Sequence, residues 1–170
     1  MNKTLKKSWQ KLLNIIVEIN EYDTSKTIFE KIVKWYKENE KKFSPDLIEK
    51  NQLRKLINIS NTQKYPFEQS DCTPQSIKNL LYINPSDEDS ILSLIANKLW
   101  ELVVFRTDNE CKVCNSFGMF ALFDSKAEKV VLECSVCGSI QTIEGEVYKS
   151  LTPTTWRLAQ NEDLKSAGLI

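Results

Sequence analysis

Cys111-Lys112-Val113-Cys114 and Cys134-Ser135-Val136-Cys137 decide how this chain is read. Two residues between the thiols of each pair let a tight turn aim both sulfurs at one point. The 19 residues between Cys114 and Cys134 leave room for a hairpin, which is the spacing of a four-cysteine metal site. Gly138 follows the second pair and Asn115 the first, both residue types that accept the positive φ of a turn closing behind a metal. Between the pairs, residues 118–123 and 129–133 read as strands joined by a polar turn at Asp124-Ser125-Lys126. Residues 139–144 alternate apolar and polar and supply a third strand.

This pattern resembles the zinc ribbon, a family of three-stranded metal-knuckle modules, over about residues 109–146. The resemblance implies Cys111, Cys114, Cys134 and Cys137 as ligands of a structural Zn²⁺. Asn115 departs from the glycine commoner in the family, which concerns the turn and not the metal. Four thiolates also suit iron in a rubredoxin-like site. Disulfides are disfavoured because nothing in the sequence signals secretion. A zinc deaminase is excluded by the lack of histidine and by a closed ligand shell that leaves no position for an activated water. Cys72 stands outside the spacing and reads as an ordinary thiol.

Outward from the cysteines the chain is helical. Residues 4–22 place Leu5, Trp9, Leu12, Leu13, Ile16 and Ile19 at three- and four-residue steps. Asp23 or Thr24 caps a second helix carrying Ile28, Phe29, Ile32, Val33, Trp35 and Tyr36. Ser44-Pro45 starts a third, with the serine oxygen as cap and proline at the first helical position. Residues 58–73 lack a period and read as an irregular connection. Thr73-Pro74 starts a short helix through Ile83. A long one, apolar on most sides and including Trp100, follows Ser86 to about Phe105, packs on the first two and leads directly into the first cysteine pair. Asp87, Glu88 and Asp89 stand at its start, where the helix dipole favours negative charge. Thr152-Pro153 opens a last helix over residues 156–167, ended by Gly168. The expected fold class is α+β: a mainly helical bundle over 1–108, a three-stranded antiparallel ribbon over 109–146, and a C-terminal segment with a helix over 147–170, packed on the rest.

Composition narrows the function. The 170 residues are 41% hydrophobic, enough for a real core, and hold no apolar run near the ~18 residues of a bilayer span. The segment near Lys6 and Lys7 lacks the small-residue cleavage site of a signal peptide, so a cytoplasmic protein is expected. No Gly-rich phosphate loop occurs, and no nucleophilic elbow, dyad or paired-carboxylate motif; with histidine absent, an enzyme is not expected. Lys and Arg balance Asp and Glu at 23 each, but residues 1–64 carry 14 basic and 8 acidic side chains, or +6, leaving −6 for the remainder. Within the ribbon, Lys112, Lys126 and Lys129 meet Asp124, Glu128, Glu133 and Glu144, and a Zn²⁺ held by four thiolates adds −2. Such a module repels phosphate.

In type and composition, though without a diagnostic motif, the chain resembles small bacterial toxin-immunity proteins. That implies a non-enzymatic inhibitor covering the active site of a basic nuclease toxin domain. Its acidic contact surface is then expected among Glu68, Asp71, Asp87, Glu88, Asp89, Asp124, Glu128, Glu144 and Glu146. The alternative is a zinc-ribbon nucleic-acid-binding or transcription-regulatory protein that uses the basic N-terminal half.

Overall fold

The computed structural model describes residues 2–70, 72–149, 151–152 and 155–170. The fold is α+β, and the chain divides into two compact units: Met1–Ser60 with Ser70–Val103, and Asn61–Gln69 with Val104–Ile170. The division falls at 103/104 where the sequence suggested 108/109, and residues 61–69 join the second unit. This weakens the charge asymmetry. The first unit holds 15 basic and 13 acidic residues and the second 8 and 10, so the ±6 of the two chain halves becomes ±2.

The first unit is built from α1 (Lys3–Val17), α2 (Ser25–Asn39), α3 (Pro45–Lys50), α4 (Leu53–Ile57), α5 (Pro74–Lys78) and α6 (Glu88–Val103). Thr24 caps α2 by accepting from the Thr27 N–H at 3.2 Å. Ser44 precedes Pro45 as expected but makes no side-chain cap; its N–H bonds the Glu88 carboxylate instead. The expected third helix is interrupted at Gln52, whose φ of 51° separates α3 from α4. The short helix from Thr73 tightens to a 3₁₀ turn over Asn79–Tyr82.

α6 packs on α2, α3 and α4 through Ile91, Leu92, Ile95, Leu99 and Leu102, all at most 1% exposed. Trp100 is half-buried, one step off that face, so it is Leu99 that holds the central position. The expectation that α6 packs on both of the first two helices and leads straight into the cysteines needs correction: α6 packs on α2, α1 packs mainly on the 3₁₀ turn Asn79–Tyr82 with α2 and α5 next, and a strand stands between α6 and the cysteines. Trp35 and Tyr36 are core residues. The Trp35 indole N–H donates to the Ser8 carbonyl at 3.0 Å.

The second unit is an antiparallel sheet with one helix: β1 (Arg106–Glu110), β2 (Phe117–Asp124), β3 (Lys129–Cys134), β4 (Ile140–Gln141), β5 (Trp156–Leu158) and α7 (Asn161–Ser166). The three strands read from sequence are thus part of five. The third is shorter than expected, because a turn from Thr142 to Gly145 ends it. β2 is the spine. One edge pairs with β3 along its length; along the other, β1 pairs with residues 117–120 and β5 with 122–124. Where Asp108 and Asn109 of β1 face Gly118 alone, the ladder bulges. Gly118 has φ of 86°, a conformation that favours glycine, and a Cβ there would also push aside the end of the Arg106 side chain, 2.3 Å away.

The helix expected over 156–167 is corrected by β5. Residues 156–158 complete the edge of β2, and α7 begins only where the Asp163 carboxylate accepts from the Gln160 N–H at 2.7 Å. Gly168, with φ of 69°, ends α7 as expected. Pro153, and with it the expected Thr152-Pro153 start, lies outside the described residues. The sheet and α7 share a core of Met119, Ala121, Val130, Leu132, Ala159 and Leu164 together with Cys111 and Cys134. No helix among the described residues is long and apolar enough to cross a membrane.

Two substitutions check these placements. Leu99→Ala should cost about 2–5 kcal/mol in chemical denaturation, as a truncated core leucine does, with Trp100→Ala milder than a fully buried tryptophan would be. In the sheet, the Tyr148 hydroxyl donates to buried Asp124 at 2.6 Å and, with the Lys126 and Ala127 N–H groups, holds its carboxyl below the ordinary range. A depressed carboxylate stabilises above its unfolded pKa of about 3.9 and loses that contribution as pH falls through the folded value. Tyr148→Phe should therefore lower the melting midpoint at pH 7, and the difference from wild type should shrink below about pH 4.

Candidate metal centre

Antiparallel pairing brings the two cysteine pairs together. The first turn, Cys111 to Ser116, joins β1 to β2 and precedes the start of β2; the second, Cys134 to Ser139, joins β3 to β4 and starts at the end of β3. Since Met119 pairs with Cys134, both turns lie at the same end of the sheet.

The turns are near copies. In the first, Cys111 N–H bonds the Ser116 carbonyl at 2.8 Å and Asn115 N–H the Cys111 carbonyl at 2.8 Å. In the second, Cys134 N–H bonds Ser139 at 2.9 Å and Gly138 N–H bonds Cys134 at 3.0 Å. Asn115 and Gly138 have φ of 58° and 68°. Asparagine thus does glycine's work in the first turn, consistent with its tolerance of the left-handed region.

All four sulfurs lie within 4.8 Å of one another, with Cys111 to Cys137 at 3.7 Å and Cys114 to Cys134 at 3.6 Å. A tetrahedron with metal–sulfur arms of about 2.3 Å has edges of about 3.8 Å. The sulfurs therefore fit one tetrahedral ion with little movement. The antiparallel hairpins and their four cysteines form a zinc-ribbon-like arrangement, and no other metal-ligating cluster occurs among the described residues.

Donors around the sulfurs favour thiolates. Cys134 is pulled down to about 5, first by the Cys137 N–H and then by the Ser116 hydroxyl, against its burial. Cys111 is lowered by the Ser139 hydroxyl and the N–H groups of Cys114 and Val113. At Cys114 the Ser116 hydroxyl also pulls down, but burial and the neighbouring Cys137 and Cys134 thiols leave it raised. A bound cation relieves that crowding by replacing the protons.

The hydroxyls follow the same near-symmetry. Ser116 Oγ lies 3.0 Å from Cys114 and 3.1 Å from Cys134, and Ser139 Oγ lies 3.0 Å from Cys137 and 3.1 Å from Cys111. Each serine thus spans the two turns. Buried Gln141 adds a clamp, accepting from Lys112 N–H at 3.0 Å and donating to the Glu110 carbonyl at 3.1 Å. Neither the serines nor Gln141 was singled out from sequence, although the repeat Cys-x-Val-Cys-x-Ser at 111–116 and 134–139 was a usable signal for the serines.

The expected acidic contact residues are not brought together. Asp87 accepts from the Ser90 N–H at 2.8 Å and caps α6, Glu88 bonds the Ser44 N–H, and Asp89 holds Lys50 at 2.5 Å and Asn51 at 3.0 Å. Asp124 is 1% exposed and presents no charge to solvent. Asp71 lies outside the described residues. Glu68, Glu128, Glu144 and Glu146 are exposed and take part in none of the ion pairs among the described residues. Phe117, the first residue of β2, is 66% exposed. Cys72 is buried in the first unit, 3.1 Å from Ser76 Oγ, and desolvation raises its thiol.

The chain matches no protein-family model, no curated protein and no solved structure.

Ser116→Ala and Ser139→Ala should each weaken metal affinity about 10–100-fold in competition with a chromophoric chelator, as loss of a group that orients metal ligands does. Equal affinity in both variants would show that the backbone N–H groups suffice.

Proposed function

We propose that Cys111, Cys114, Cys134 and Cys137 hold one structural Zn²⁺ and that the chain acts without catalysis. In this reading it is a cytoplasmic protein-binding inhibitor of the immunity type, covering the active site of a basic nuclease toxin domain. The support for zinc is the paired-turn geometry and a ligand set that fills four positions, leaving none for substrate or an activated water. The observation that carries the protein-binding reading is the set of exposed, un-ion-paired carboxylates Glu68, Glu128, Glu144 and Glu146, all in the second unit. With unit charges of only ±2, it is these exposed carboxylates and not the net charge that would steer a basic partner.

One observation favours the nucleic-acid reading. Lys3, Lys6, Lys7 and Lys11 are exposed on α1, and none takes part in an ion pair among the described residues.

Two measurements decide. Metal analysis of the purified protein should find one zinc per chain; iron, or folded protein without metal, contradicts the assignment. Titration with duplex and single-stranded nucleic acid at about 0.15 M salt should give no saturable binding. Binding with a steep salt slope, abolished by Lys→Glu changes on α1, replaces the inhibitor reading with the regulatory one.

A further inference from the structure

Within the second unit, β2, β3, the turn after β4 and α7 enclose an open groove of about 470 Å³. Its apolar part comes from Phe123, Val130 and Ile143, which lie in or against the core of the sheet. Its charged part comes from Glu128, Glu144 and Glu162, all exposed and none in an ion pair among the described residues. The volume is that of a site for a small ligand or one or two side chains. Lys129 also lines the groove and its charge acts on Glu144, but three carboxylates against one ammonium leave the lining negative.

Two lining residues, Phe123 and Asp163, already hold the guanidinium of the chain's own Arg157, which is not itself part of the lining. Arg157 lies 3.9 Å from the centre of the Phe123 ring and forks onto Asp163 at 2.6 and 2.9 Å. The lining offers the same two chemistries again, an apolar surface from Val130 and Ile143 and carboxylates from Glu128, Glu144 and Glu162. They suit a planar cation on an apolar stem. The carboxylates do not converge as metal ligands would, since the cysteines form the one such cluster among the described residues.

We propose that this groove binds an arginine-bearing segment of a protein partner, with the arginine stem on Val130 and Ile143 and the guanidinium among Glu128, Glu144 and Glu162. The proposal rests on the protein-binding reading and names the chemistry of its contact. Phosphate and anionic surfaces are repelled by the same carboxylates.

The test uses the full chain and the acetylated, amidated peptide Gly-Arg-Leu-Arg-Gly, followed by amide NMR shifts at about 0.15 M salt. Saturable shifts are expected at Val130, Ile143 and Ala167. Replacing both arginines by citrulline, which keeps shape and removes charge, should weaken binding about tenfold, as loss of several partly desolvated pairs does. Glu128→Gln with Glu144→Gln and Glu162→Gln should do the same, while Glu18→Gln with Glu21→Gln and Glu38→Gln, exposed in the first unit, should change it less than about twofold.

Absence of saturable shifts, equal binding of the citrulline peptide, or equal effects of the two glutamine sets overturns the groove proposal. So do groove shifts that follow protein concentration and not peptide, which identify a second copy as the occupant. In each of these cases the protein-binding reading stands if nucleic acid also fails to bind; saturable nucleic-acid binding at that salt removes the reading itself.

Discussion

Four sulfurs brought to within 4.8 Å of one another are the constraint on which the second unit depends. Two of them, Cys111 and Cys134, are also core side chains, at 0% and 2% exposure, packed with Met119, Leu132 and Leu164. A cluster of thiolates at the edge of an apolar core is unfavourable unless its charge is matched. A cation would supply that match at a place where backbone N–H groups and two serine hydroxyls are already turned toward the sulfurs. The metal site and the sheet core are therefore one structure, in contrast to the helical unit, whose core of Leu12, Ile28, Phe29, Trp35, Ile91 and Leu99 contains no ligand.

Local signals were legible in the sequence. The CxxC pairs, the positive φ at Asn115 and Gly138, the β2–β3 hairpin and the helices from Thr24 and Thr73 each follow from residues within a few positions of one another. What escaped depends on partners distant in the chain. Residues 156–158 satisfy a helical pattern as well as a strand, and the free edge of β2 beyond β1 decides between them. The glutamine that clamps the first turn lies 29 positions from its donor, Lys112. Asp124, expected at a contact surface for its charge, is drawn inside by the hydroxyl of Tyr148, 24 positions away. Residues 61–69 lacked a period because they join the second unit through contacts such as Asn161 to the Gln63 carbonyl at 3.2 Å.

The same distinction limits what charge counting conveyed. Dividing the chain in half suggested a strongly two-sided molecule, yet residues 70–103 fold with the basic N-terminal segment and bring their carboxylates with them. Several of these are consumed in joining α3 to α6 or in capping. Of the carboxylates expected at a contact surface, Glu68, Glu128, Glu144 and Glu146 remain exposed and outside the ion pairs among the described residues, and Glu128 and Glu144 line an apolar groove.

The central claim is that the metal–thiolate centre holds the second unit together while the helical unit stands on its own core. Hydrogen exchange, measured on the full chain with metal and after its removal by a chelator under reducing conditions, tests this most directly. The account predicts that amides of β2 and β3, such as Leu122 and Leu132, lose most of their protection without metal while those of α2 and α6 keep theirs. Unchanged protection in the sheet, or simultaneous loss in both units, would contradict it.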